Sequence, residues 1–595
     1  QPEPDGPALR WNWDSALAIS PHNSKRIYYG SQILFASDDR GDNWTAISPD
    51  LSRNLDRNQL KVMGRVWSVD AVAKNMSTSQ YGTIVSVSES PIVEGLIYVG
   101  TDDGMVQVTE DGGKSWTAIS TFGTLPIPEF GYINDIEADM HDADTVYVAI
   151  NNHKRGDFKP YIAKSSDRGK TWENITNNLP ERGSVYTIKQ DHQTANLLFC
   201  GTEFGCFSSV DGGKKWLKLA GLPTVGIRDI EIQQDENDLV LASFGRGFYI
   251  LDDYSPLREV DSELPKSNKI FPIKTGKIYD RTAPLAGGSR AFQGSNFYVA
   301  PNPPYGAAIT YHLKDSLKTK SSERKSKDQK LAAAGKDTAY PTWEEFKAED
   351  REVAPKVQLN IRDANGDLVK RLSGSTSKGL HRTHWDLRHG AFGRFGPLAL
   401  PGKYTVDITQ TVDGETTELV AATEFEIEPL MVDQVNESDL ADTMKFLEKA
   451  HSLSMAVNGA TDVAEQAKKQ LDAIMSVIRN SVTLDPALAN DVRSLELKLM
   501  DIMEAFDGDP TKTKRNEPEL PGISSRIRTM MFGAMGSLEG PTGTHERQYD
   551  IARQQYEAVL GDLKELVDQS IPAINEKLDE AGAPWTPGRK IPEIK

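Results

Sequence analysis

A chain of 595 residues is too long for one core, and 38% hydrophobic with 26% charged residues is the composition of a soluble globular protein of about three or four domains. Its net charge of −18 excludes the basic surface needed to hold a nucleic-acid backbone. No apolar run approaches the roughly 18 residues of a membrane-spanning helix.

The chain opens on QPEPDGPALRWNWDS, without a charged and apolar signal region, so a processed end is expected. Short strands of alternating apolar and polar residues then follow in groups of four. The first group reads WDSALAIS, RIYYG, ILFAS, NWTAIS, and the second GTIVSVSES, GLIYVGT, GMVQVTE, SWTAIS. The third reads YINDIEAD, TVYVAIN, PYIAKS, TWENIT, and the fourth VYTIKQD, NLLFCGT, GCFSSV, KWLKLA. A fifth, IRDIEIQ, LVLASF, GFYILDD, stops after three strands.

Each of the first four groups carries one octapeptide between its last two strands: SDDRGDNW from Ser37, TEDGGKSW from Thr109, SSDRGKTW from Ser165 and SVDGGKKW from Ser209. A hydroxyl and a carboxylate two residues apart can satisfy the backbone of a tight turn, and glycine supplies its positive φ. Asp39, Asp111, Asp167 and Asp211 are therefore read as structural. Calcium would need several converging oxygens, whereas each copy fixes one carboxylate. Units of about 40 to 50 residues with four strands are the signature of propeller blades, which gives a partial β-propeller of five blades over 1–258.

These repeats resemble the Asp-box (BNR-repeat) propellers, which include sialidases, xyloglucanase-type glycosidases and sortilin/VPS10 receptors. With FGRGFYILDDYSPLR and NPPYGAAITYHLK, the chain is most similar to secreted bacterial sortilin-like, glycosyl-hydrolase-like proteins with a C-terminal immunoglobulin-like domain. The resemblance implies a seven-bladed ring, hence further blades on an N-terminal propeller fragment or another envelope subunit. It also implies a protein that is secreted, periplasmic or on the outer cell surface of a bacterium.

Cys200 and Cys206 flank one hairpin at positions that match Val99 and Met105 of the second group, so they are read as free and buried. From 259 to 432 the pattern becomes that of an Ig-like β-sandwich. It has strands in NFYVAPNPPYGAAITYHLK and VQLNIRDANGDLVKRLSG, the latter turning at Asn365-Gly366, and in GLHRTHWDLRHG and PGKYTVDIT. A Lys-rich insertion near 315–350 is read as a flexible, solvated loop. His381, His384 and His389 are read as strand decoration, because residues three apart on a strand point to opposite faces. Helical periodicity, as at Leu471, Ile474, Met475 and Ile478, places an α-helical bundle at 433–581 and leaves 582–595 as an extended tail.

Turns between second and third strands, and loops entering each first strand, should meet on the face opposite the octapeptides. They carry Asp102, Asp103, Asn151 to His153, Glu203, Phe204 and Arg246, with Tyr81, Tyr132, Tyr186, Arg228 and Asp229. Aromatic, carboxylate and Arg side chains on loops over a rigid scaffold suit glycan or peptide partners. A sialidase would need a third arginine, and an inverting glycosidase two opposed carboxylates about 6.5 to 9.5 Å apart, for which Asp102, Asp103, Glu203 and Asp229 are the candidates. No phosphate loop, zinc signature or Ser-His-Asp set is present, and no metal or cofactor is expected. The sequence thus favours a binding or scaffold protein, with a xyloglucanase- or sialidase-like glycoside hydrolase as the alternative.

Overall fold

The structure is a computed structural model that describes residues 5–72, 74, 76, 80–281, 294, 296, 300–390, 396–431 and 435–593. Mainly β and built from small sheets, it divides into two compact units, Gln1–Glu263 and Leu264–Lys595.

The first unit holds five antiparallel sheets, each a simple meander. The first sheet is Leu17–Ile19, Ile27–Gly30, Leu34–Ser37 and Thr45–Ala46; the second is Ile84–Glu89, Ile97–Thr101, Val106–Thr109 and Thr117–Ile119. The third is Tyr132–Ala138, Val146–Asn152, Asp157–Ser165 and Glu173–Asn174; the fourth is Val185–Gln190, Leu198–Thr202, Gly205–Ser209 and Leu217–Lys218. The fifth has three strands, Ile227–Gln233, Asp238–Ser243 and Phe248–Leu251.

Successive sheets stack through their first strands. Each neighbouring pair encloses its own apolar core: Tyr28 with Ile84, Tyr98 with Ile133, Tyr147 with Ile188, and Phe199 with Ile230. Serial stacking of four-stranded meanders is the arrangement of propeller blades.

The close approach has a sequence cause in the second strands. A Cβ on Gly30 would lie 2.6 Å from Ile84 Cγ2, one on Gly100 2.3 Å from Ile133 Cγ2, and one on Gly201 2.9 Å from Ile227 Cγ2. The third sheet has Ala149 at this position, and the next first strand answers with Val185 in the same core. A larger seat takes a smaller knob.

The four octapeptides adopt one geometry. The Ser or Thr hydroxyl donates to the aspartate at 2.8 Å in every copy and accepts from the backbone N–H of Gly41, Gly113, Gly169 or Gly213. Asp39, Asp111, Asp167 and Asp211 then accept from the backbone N–H four residues on. These bonds hold the Asp39 and Asp111 carboxyls down at about 2. Two of the tryptophans reach the preceding sheet: Trp116 Nε1 donates to Ile47 O at 3.2 Å and Trp216 Nε1 to Ile175 O at 2.8 Å. The turn closes a hairpin and also ties one sheet to the last.

Cys200 and Cys206 are free and buried. Cys200 pairs with Phe207 and Gly201 with Cys206, so the two thiols sit on opposite faces, in the third–fourth and fourth–fifth cores.

In the second unit, a three-stranded sheet (Lys269–Ile270, Ala307–Leu313, Gly379–Trp385) and a five-stranded sheet share a core around Tyr311, Leu359, Trp385 and Phe425. The five-stranded sheet comprises Gly276–Ile278, Lys356–Arg362, Leu368–Gly374, Gly402–Val412 and Glu415–Pro429. The strand expected in NFYVA lies largely outside the described residues. The His381 ring is tilted against that of Tyr311, with centres 5.4 Å apart, and its Nε2 lies 2.6 Å from Ser377 O.

The Lys-rich segment expected to be a flexible loop instead forms two helices, Lys320–Ala333 and Trp343–Arg351. Neither buries a residue, so apolar periodicity gave no signal. Thr319 caps the first helix, Thr342 and Glu345 form a capping box on the second, and Arg324 grips Glu349 with two hydrogen bonds of 2.7 and 2.8 Å.

Helices Glu437–Asn480, Leu488–Asp507, Ile523–Met535, Gly543–Glu565 and Ile571–Glu580 pack around a further core containing Leu471, Phe506, Met530 and Leu578. The tail expected to be extended folds back on this layer. Ala583 and Thr586 are buried, and Trp585 Nε1 donates to Lys590 O at 3.0 Å.

Candidate functional site

The loops leading into the first strands and the turns after the second strands supply the candidate face of the first unit. Tyr81, Tyr132 and Tyr186 recur at its base, each set beside a cation. Arg155 Nη2 donates to the Tyr81 hydroxyl at 3.2 Å, Lys154 Nζ lies 4.5 Å from the centre of the Tyr132 ring, and Arg228 lies 4.0 Å from that of Tyr186. Arg228 is also 5.0 Å from the Phe244 ring, and Arg155 5.1 Å from Phe130. Such contacts are attractive because a ring face is electron-rich. Lys154, Arg155, Arg228 and Phe244 are exposed, so this surface offers the Phe244 ring and three charged donors to solvent, while Tyr132 and Tyr186 are buried beneath them.

His153 stands beside the Tyr186–Arg228 pair. Its ring stands edge-on to Tyr186 at 6.3 Å, and Nδ1 lies 2.6 Å from Asn151 Oδ1. Asn151 Nδ2 donates to Asn134 Oδ1, and Asn134 Nδ2 to Tyr186 O. Burial, then Lys154 and Arg228, pull the imidazole below its ordinary value, against the opposing pull of Glu203. Burial raises the Tyr81 and Tyr186 hydroxyls, while Arg155 and Arg228 lower them.

The carboxylates behave differently. Asp102 is buried and accepts from Gly82 N, Thr83 N, Thr83 Oγ1 and Asn12 Nδ2 at 2.8 to 3.3 Å; burial still pushes it up to about 6. Asp103 is fully buried and accepts from Thr101 Oγ1 at 2.6 Å and Arg53 N at 2.8 Å, so it anchors two loops of its own unit. Both point inward. Glu203 is half-exposed and Arg246 exposed, while Asp229 lies opposite Ala242 on the fifth sheet and accepts from its own neighbour Ile230 N.

The structure therefore brings together Tyr81, Tyr132, Tyr186, His153 and Arg228, with Glu203 near enough to be felt by His153. Sequence reasoning missed Lys154 and Arg155. Their signal was present in the basic pair that follows Asn151 to His153.

No protein-family model matches the chain. Among curated proteins it is 27% identical over 141 residues to a xyloglucanase of Paenibacillus sp, which is 22% of this chain and 14% of that protein. It is 26% identical over 159 residues to a xyloglucanase of Hypocrea jecorina, covering 24% and 18% respectively. The chain thus spans less than a fifth of the length of these relatives. Among solved structures, the GH74 xyloglucanase from Xanthomonas campestris aligns at 20% identity with a TM-score of 0.30, over 41% of this chain and 37% of that one.

Proposed function

We propose that this chain is a secreted or envelope-associated bacterial binding protein of the propeller type, holding a glycan or peptide partner on the aromatic and cationic face of its first unit. The observation that carries this reading is the division of labour among the candidates. The exposed groups are the cations Arg155, Lys154 and Arg228, set on the half-buried Tyr81 and the buried Tyr132 and Tyr186, whereas Asp102 and Asp103 spend their oxygens on donors from neighbouring loops. Within the same reading, its partner polypeptide is an N-terminal propeller fragment or another envelope subunit that meets the first and fifth sheets. A glycan and peptide array on the purified chain tests the ligand face. Arg228→Ala and Tyr186→Ala should abolish the bound signal without unfolding the protein, and retention of that signal would refute the assignment.

A glycoside hydrolase is the second reading, favoured by the identity shared with xyloglucanases. Asp102, raised to about 6, lies in the range of a general acid. On this reading the chain cleaves xyloglucan and Asp102→Asn abolishes turnover; binding without turnover would leave the first reading alone.

A further inference from the structure

The fifth sheet repeats the third, position for position, on the face that the next sheet would cover. Asp135 lies opposite Ala149 and Glu137 opposite Tyr147; Asp229 lies opposite Ala242 and Glu231 opposite Val240. On the third sheet this face is met by the first strand of the fourth. Thr187 Oγ1 and Ile188 N both donate to Asp135 Oδ2 at 2.9 Å, Lys189 Nζ lies 3.5 Å from Glu137 Oε2, and Val185 joins the core beside Ala149.

On the fifth sheet the face is bare among the described residues. The third-strand residue opposite the small seat is Leu34, Val106, Ile162 and Cys206 in the first four sheets, each at most 1% exposed. Its counterpart opposite Ala242 is Phe248, which is 74% exposed, and Ile250 beside it is 58% exposed. Large apolar side chains in this setting mark an interaction surface.

The first sheet is a poor occupant, whether by closure of a ring or from a second copy. Its outer residues Leu17 and Ile19 remain 66% and 67% exposed, so closure has not buried them. Opposite Gly30 and Tyr28 it places Ala16 and Ala18, where the fourth sheet has Thr187 and Lys189. It offers no hydroxyl for Asp229.

We infer that the fifth-sheet face around Asp229, Ala242, Phe248 and Ile250 is an interface for a further β-sheet from another polypeptide segment, whose first strand carries the pattern Val-x-Thr. The small seat of Ala242 calls for valine rather than isoleucine and Asp229 calls for a hydroxyl and a backbone donor, whereas Glu231 is already met by Lys189 of the fourth sheet at 3.2 Å. This rests on the partner reading above and is separate from the ligand face.

Thiol labelling of the full chain carrying Phe248→Cys tests it, because Cys200 and Cys206 are buried and silent. The probe is a synthetic segment spanning 183–219, which contains Val185, Thr187 and Lys189. Position 248 should label freely in the chain alone, and the probe should slow labelling by at least about tenfold. A Thr187→Val probe, or Asp229→Lys in the chain, should weaken that protection. Slow labelling in the free chain, an unprotected site with the wild-type probe, or equal protection by the Thr187→Val probe would each overturn the inference. A co-purifying polypeptide that protects Leu17→Cys and leaves position 248 open would sustain the partner reading and overturn this one.

Discussion

The first four sheets and the fifth share one strand pattern but end differently. In the first four, the octapeptide turns the chain back into a fourth strand, and in the second to fourth its glycine nestles against the preceding sheet: Gly113 on Ile47, Gly169 on Ile119 and Gly213 on Ile175. The fifth lacks that turn and is held by a latch. Tyr254 donates its hydroxyl to Asp191 Oδ2 at 2.6 Å, and Arg258 Nη2 meets the same oxygen at 2.8 Å. Asp191 is fully buried at the end of the fourth sheet's first strand. Burial pushes its carboxyl up, yet hydrogen bonds from Arg258 and Tyr254 bring it below its ordinary value. A repeat can thus be fastened by many weak local bonds or by one buried ion pair, and the two should fail differently.

The largest effect should come from the latch. Asp191→Ala leaves Arg258 without its buried partner and should lower stability by about 3 to 5 kcal/mol in urea unfolding, with the fifth sheet detaching first. Next is the seat between the second and third sheets. Gly100→Val drives a side chain into Ile133 and should cost about 1 to 3 kcal/mol, measured the same way.

Loss of one clip should be milder. Asp111→Ala should lower the melting temperature by less than either change above and leave ligand binding unaltered; a change in binding would contradict the structural role of the clip.

The smallest effect separates the two kinds of carboxylate by pH. Burial raises Glu137 to about 7 and Asp135 to about 6, only partly offset by Lys189. A carboxyl whose folded value exceeds its unfolded one favours folding while protonated, so stability should rise as pH falls from 8 towards 5. Asp39 and Asp111, lowered to about 2, act in the opposite sense. Their contribution is present above about 4 and is lost as pH falls through 2. Melting curves should therefore peak near pH 5, and a monotonic decline from pH 8 to 4 would contradict the assignment.

Alternation and turn chemistry placed the strands of the first unit because each sheet is closed by local residues. The octapeptide Ser165 to Trp172 contains both its donors and its acceptors. Asp102 and Asp103 were harder to read. Their donors come from Gly82, Thr83, Asn12 and Arg53, remote in sequence, so an inward-facing carboxylate looks in sequence like one facing a ligand. The Lys320–Ala333 helix was hidden for the reverse reason. It is stabilised by its Thr319 cap and by Arg324 with Glu349, with no apolar stripe to announce it, although the capping box of the neighbouring Trp343–Arg351 helix, Thr342 to Glu345, was present in the sequence.

The paired seats and knobs along the second and first strands also bear on assembly. Near-identical repeats are prone to stack out of order while the chain collapses, because any sheet presents a plausible surface to any other. Gly30, Gly100 and Gly201 accept isoleucine, whereas Ala149 is met by valine and by the donors Thr187 and Ile188. A fifth sheet stacked directly on the third would drive Ile227 against the Ala149 methyl group and leave Asp135 without the Thr187 hydroxyl. The sequence differences among the repeats therefore act as an address system, steering each sheet to its proper neighbour before the chain is complete.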